Sequence, residues 1–158
     1  MKLSEVLCIA LCQEAATELY NMLCYEKAYS YFEDIQLKNL GKHFKSQANE
    51  EKEHYDKFVQ YINARVGGKA SLPEIDQPTF EIRSLQDVAD LYMKIEQDTT
   101  AAIEELYGLA LETKSYVDLP FLSEMLCFQV VEEDEAQEFF GKVAIAKDLI
   151  LFDSTFGG

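Results

Sequence analysis

A chain of 158 residues, 48% hydrophobic and 27% charged, is long enough to bury a core and fits one soluble domain over 1–158. With 29 acidic residues against 14 Lys and Arg, its formal net charge of −15 repels phosphate backbones and anionic lipid and attracts cations, so nucleic acid and membrane are excluded as partners. Only 7 glycines and 3 prolines leave little punctuation for many short strands, and the expectation is all-α.

The first predicted helix, A, runs from about Ser4 to about Phe32. Leu7, Leu11, Ala15, Glu18, Met22, Tyr25 and Tyr29 recur on one face at three-to-four spacing. Its apolar run over 6–12 is short and lacks the basic flank and cleavage pattern of a secretion signal. It falls well below the ~20 apolar residues of a membrane span. A cytoplasmic location is expected. Cys8, Cys12, Cys24 and Cys127 have no zinc-ligand spacing and read as small apolar residues in a reducing compartment.

After a turn near Glu33 to Gln36, helix B continues to about Val66 with Leu40, Phe44, Ala48, Glu51, Tyr55, Phe58 and Ile62 on its stripe. Gly67-Gly68 stops it. Residues 67–84 then carry loop markers and no helical period. Extended, they reach about 60 Å at ~3.3 Å each, against about 42 Å for a helix of ~28 residues. One long crossover is therefore expected, with helices B and C parallel.

Ser84-x-x-Asp87 reads as a capping box for helix C, whose face is Leu85, Ala89, Tyr92, Glu96, Thr99, Ile103, Leu106 and Ala110. A break over Thr113 to Asp118 follows, with Asp118 before Leu119-Pro120 in the pattern of an N-cap and first-turn proline. Helix D runs to about Leu149 through Leu122, Met125, Gln129, Glu132, Ala136, Phe139 and Val143. His43 falls off the inward stripe and is expected in solvent.

In so acidic a chain a lone helical glutamate is ordinarily a solvated one. Glu18, Glu51, Glu96 and Glu132 differ because each stands in register with apolar residues one turn before and after. Unpaired carboxylates at one level of a core would each cost several kcal/mol, and they would repel one another. Two divalent cations resolve both problems. Glu51 and His54, three residues apart on one helix face, can grip one ion together. Carboxylates with a single imidazole favour iron or manganese over zinc or copper.

As a set, Glu18-Leu-Tyr with Tyr25, Asn49-Glu50-Glu51-Lys-Glu-His54, Glu96-Gln97 and Gln129-x-x-Glu132 resemble the ferritins, in particular the non-haem bacterial type. The resemblance covers nearly the whole chain. It implies a ferritin-like four-helix bundle with one long crossover between helices B and C. It further implies ferroxidase activity with O2 or H2O2 as oxidant, iron storage, and a homo-oligomeric cage of 24 subunits. By the same resemblance Glu18, Glu51 and His54 hold one iron with Gln129 close by. Glu51 bridges to a second iron held by Glu96 and Glu132, and Tyr25 hydrogen-bonds beside the site. A core tyrosine in the helix A stripe is an equal reading of Tyr25 on sequence alone. Many bacterial ferritins use an extra glutamate on helix B and two on helix D for a third iron. Here Glu50 is present, but Phe128 and Val131 occupy the helix D positions, and that site is expected to be missing. A fifth helix over Leu149 to Phe156 is at most a shortened one.

Bacterioferritins and rubrerythrins use a second Glu-x-x-His, and no histidine follows His54 here. Lys52 stands where bacterioferritins carry the haem-ligating methionine, so no haem is expected. Two competing readings are a small di-iron oxidase or peroxidase that stores no iron, and a non-enzymatic acidic bundle that binds proteins.

Overall fold

The structure, a computed structural model, describes residues 1–157. Among them there is no strand. Helices α1 (Glu5–Asp34), α2 (Lys38–Ala64), α3 (Leu85–Glu112) and α4 (Leu119–Ile145) form the bundle, and a six-residue α5 (Leu149–Ser154) closes it. The inward residues expected on each stripe are buried or half-buried. No helix of the described residues is long and apolar enough to cross a membrane.

Two helical hairpins, α1 with α2 and α3 with α4, are each closed without glycine. Leu37 N–H reaches Phe32 O at 2.9 Å and Gln36 N–H reaches Glu33 O, while Ser115 N–H reaches Ala110 O at 2.7 Å and Lys114 N–H reaches Leu111 O. Both ends are Schellman motifs whose left-handed position is filled by Gln36 (φ 64) and by Lys114 (φ 56). A Cβ in that region is disfavoured, so Lys114→Gly is expected to raise unfolding stability by about 1 kcal/mol, read from denaturant midpoints at unchanged slope.

The crossover runs the length of α1. Val66 O accepts from Leu3 N–H at 2.8 Å. The thiols of Cys8 and Cys12 then point at Lys69 O, and Ser71 N–H meets Cys12 Sγ at 3.5 Å. At the far end Lys27 Nζ sits 4.8 Å from the Phe80 ring centre and bonds to Phe80 O and Pro78 O. Phe44 of α2 meets Tyr92 of α3 near the starts of both helices, so the two run parallel, as the crossover length predicts. At the start of α3, Ser84 Oγ accepts from Asp87 N–H, but Asp87 answers Arg83 N–H instead of Ser84.

Three expectations are corrected. Asp118 does not cap α4: it is 1% exposed, in helical backbone, and both its oxygens are taken by Arg65, at 2.6 and 3.3 Å, while Tyr61 donates to one of them. The buried ion pair outcompetes the local cap. Helix D ends at Ile145 and not at Leu149, because Ala146 is extended and Asp148 restarts the chain as the cap of α5. His43 is half-buried, not out in solvent. Its ring lies flat on Phe139 (6.1 Å, 2°) and edge-on to Phe44 and Phe156, its Nε2 is buried without a partner, and burial lowers its pKa.

The covering of His43 depends on α5. Phe152 packs against Phe139 and Phe156, and Asp153 accepts from Leu40 N–H at 2.8 Å and from Asn39 Nδ2 at 3.2 Å. Leu37 offers α2 no side-chain cap, so α5 supplies one from 113 residues away. Asp153→Ala is expected to cost about 1 kcal/mol and to raise hydrogen exchange in the first turn of α2.

Two apolar clusters fill the bundle. One contains Tyr25, Phe32, Phe44, Tyr92 and Phe139. The other contains Leu7, Leu11, Phe58, Ile62, Ile103 and Leu122. Large side chains like these each contribute about 1.5–3 kcal/mol on burial. Glu18, Glu51, Glu96, Gln129 and Glu132 belong to neither cluster, and form a polar layer between the two.

Candidate metal centre

Each helix delivers its polar group because the heptad-like stripe continues through it: Ala15 and Met22 flank Glu18, Ala48 and Tyr55 flank Glu51, Tyr92 and Thr99 flank Glu96, Met125 and Ala136 flank Gln129 and Glu132. The result is dense burial of charge. Glu18 and Glu96 are fully buried, Glu51 and Gln129 are 1% exposed, and His54 and Glu132 only slightly more so.

Ligating atoms of Glu18, Glu51 and His54 lie within 4.8 Å of one another. His54 Nδ1 is 3.9 Å from Glu18 Oε2, beyond hydrogen-bonding distance, and the imidazole stacks on Phe128 at 5.8 Å. Glu96 and Glu132 fall outside that tight group. Tyr25 donates to Glu96 Oε1 at 2.5 Å, and Gln129 Nε2 donates to Glu96 Oε2 at 3.1 Å. Gln129 is therefore oriented towards Glu96, with further contacts to Glu96 O and Thr100 Oγ1 at 3.3 Å. Asn21, on α1, bonds Thr99 at 3.0 Å and braces α1 against α3.

The polar atoms left over decide what the layer can do. Both oxygens of Glu18, Oε2 of Glu51, Oε2 of Glu132 and Nδ1 of His54 are buried with no hydrogen-bond partner. Buried polar atoms are nearly always satisfied. Such a set of orphans, all metal-ligating in type, suits hard divalent cations.

Electrostatics agree. Desolvation, followed by repulsion from Glu51, pushes the Glu96 carboxyl up to about 8 and drives that of Glu18 well above the usual carboxylate range. Burial raises Glu51 as well, and burial together with Glu50 and Glu96 pushes Glu132 up to about 10. Burial holds His54 down at about 4, so its imidazole is neutral and free to ligate at neutral pH. Tyr25 is fully buried beside Glu96, and its phenol stays protonated. Without cations the layer is held by protons. Divalent ions can take their place.

One buried carboxylate escapes the sequence reading. Glu14, one turn before Glu18, is 4% exposed and its Oε1 has no partner. Burial first, then Glu51, pushes its carboxyl up to about 8. The signal available was its i−4 relation to Glu18, flanked by Leu11 and Ala15.

A family model for the ferritin-like domain matches residues 9–146. The chain belongs to the ferritin family. The middle-subunit ferritin of Aquarana catesbeiana is 32% identical over 119 residues, 73% of this chain, and the match spans 65% of that subunit's length. A bacterial non-heme ferritin of Staphylococcus haemolyticus is 30% identical over 131 residues, covering 83% of this chain and 78% of the relative. Among solved structures, an open pore ferritin from the archaeon Archaeoglobus fulgidus superposes with a TM-score of 0.92 at 28% identity, over 98% of both chains. The likeness extends through α5 as well as the four-helix bundle.

Proposed function

We propose that this protein is a ferroxidase: it binds two Fe(II) in the polar layer, oxidises them with O2 or H2O2, and stores the Fe(III) as mineral inside a homo-oligomeric cage of 24 subunits. The observation that carries this reading is the set of orphaned buried carboxylate oxygens and a neutral imidazole, drawn from four helices of a ferritin-family chain. In this reading Glu18 and His54 hold one iron, Glu51 bridges, and Glu96 and Glu132 hold the other, with Gln129 beside it.

Each group has a defined task. The charge of Glu51 acts on both Glu18 and Glu96, which supports a bridging role for it. Tyr25 and Gln129 each give one hydrogen bond to a different oxygen of Glu96, fixing its carboxylate plane while leaving lone pairs for the metal. The apolar clusters on either side exclude water and strengthen every charge interaction within the layer. Bound iron supplies the electrons, one from each Fe(II). O2 takes both with two protons to give H2O2, or H2O2 takes them to give two waters. Protons displaced from the carboxyl groups by Fe(II) are at hand for that reduction.

Exposed Ile145, Leu149, Ile150 and Leu151 gather at the α4–α5 end, an apolar surface suited to self-assembly. Adding Fe(II) to the aerobic apo-protein and following near-ultraviolet absorbance tests the activity, and sizing tests the cage. A particle of roughly 24 chains is expected if the family's pattern of closed assembly holds for this chain. A dimer that oxidises Fe(II) without accumulating iron would be the non-storage oxidase instead.

A further inference from the structure

The dinuclear reading uses Glu18, Glu51, His54, Glu96, Gln129 and Glu132, and leaves Glu14 without a task. Its burial has a cost, since a buried polar group without a partner forfeits its hydration. None of the ion pairs among the described residues involves it. Its Oε1 is orphaned, the charge that acts on it most strongly is that of Glu51, and Glu18 is its one side-chain hydrogen-bonding neighbour.

Glu14 also faces the other way. It lines a groove of about 440 Å³ between α1 and α3, together with Gln13, Glu105 and Glu112. Those three are exposed, whereas Glu14 is buried. Gly108 lines the same groove, and a Cβ built on it meets nothing within 4 Å, so the opening stays clear there. One turn along α1, residues four apart lie about 6 Å from each other, and the next inward carboxylate is Glu18. Glu14 thus shares the groove with the exposed carboxylates of Glu105 and Glu112, and stands one helical turn from Glu18.

We propose that Glu14 is a transit ligand for Fe(II), taking the hydrated cation from the α1–α3 groove and passing it to Glu18 and Glu51. A hard carboxylate oxygen with no protein partner suits a first-row divalent ion that exchanges its waters stepwise. A glutamine would supply the same shape without the charge. The inference rests on the dinuclear reading, because the relay needs a destination.

Co(II) alone, added anaerobically to the assembled protein, separates binding from oxidation, since its visible absorption reports when it reaches protein ligands. Glu14→Gln is expected to slow that arrival about tenfold at low cobalt, the scale of local electrostatic focusing, while the final number of ions bound at Glu18, Glu51, Glu96 and Glu132 is unchanged. Glu14→Asp restores part of the rate. Gly108→Leu, which leaves every carboxylate in place, slows arrival by filling the groove. An arrival rate in Glu14→Gln equal to that of the unaltered protein overturns the relay, and so does loss of an ion from the final count, which would make Glu14 a resident ligand. If Glu51→Ala takes up as much Co(II) as the unaltered protein, the dinuclear reading falls, and the relay with it.

Discussion

Replacing Glu51 with alanine is expected to abolish rapid Fe(II) oxidation while leaving the helices intact. Of the buried carboxylates, Glu51 is the one whose charge acts on Glu14, Glu18 and Glu96 alike. Removing it takes a ligand from both proposed iron positions at once. Holding two reactants in place is worth far more than either contact alone, so stopped-flow traces should slow by about 100-fold or more, the scale of a lost positioned catalytic group. The same substitution relieves repulsion in the apo-protein. Its helical circular dichroism should match the unaltered protein, and its apo melting temperature at pH 8 should be equal or higher. An unslowed variant would mean that Glu51 does not bridge.

The second large effect is on stability, and it depends on pH. Glu14, Glu18, Glu51, Glu96 and Glu132 all have folded-state pKa values raised above the ordinary carboxylate value, to about 8 for Glu14 and Glu96 and about 10 for Glu132. The folded state therefore binds protons more tightly than the unfolded one, and the stability linked to these groups is full below about pH 4.5 and is lost as pH rises through 8 to 10. His54, held down to about 4, acts oppositely, but only below its ordinary value of 6.5. From pH 6.5 to 9 the carboxyl groups act alone, and the apo-protein should become steadily less stable. Zn(II), which carries no redox chemistry, should reverse this by replacing the protons. At a hundredfold excess over Kd it should add about 2.7 kcal/mol, or about 5–11 °C for a domain of this size, and more at pH 8 than at pH 6. Thermal melts with and without Zn(II) across that range check both signs. A Zn(II) effect that shrinks with rising pH would contradict the proton-displacement picture.

Much of this was legible in the sequence because helical stripes and the proposed ligand positions obey the same period. Glu18, Glu51, Glu96 and Glu132 stand out only because each continues a mostly apolar helical stripe, and all four are buried where that spacing puts them. The crossover was legible through length, since no short loop could join two parallel helices. Long-range partners hid the rest. Asp118 has the local pattern of a cap, yet Arg65, 53 residues earlier, claims its carboxylate. His43 looks solvated on α2 alone, and is covered only when Phe139 and Phe156 fold over it. Glu14 was missed because α1 packs on both α2 and α3. Its buried arc is wider than a single stripe, taking in Cys12, Glu14 and Ala16 beside Leu11, Ala15 and Glu18.

The proposed pairing of metals across Glu51 is tested most directly by growing crystals of the apo-protein, soaking them in Fe(II) without oxygen, and collecting data at the iron edge. The expected result is two anomalous peaks per chain, about 3.5–4 Å apart, one against Glu18 and His54, the other against Glu96 and Glu132, with a Glu51 oxygen on each. Peaks confined to surface acids, or a single ion with Glu51 turned away, would contradict it.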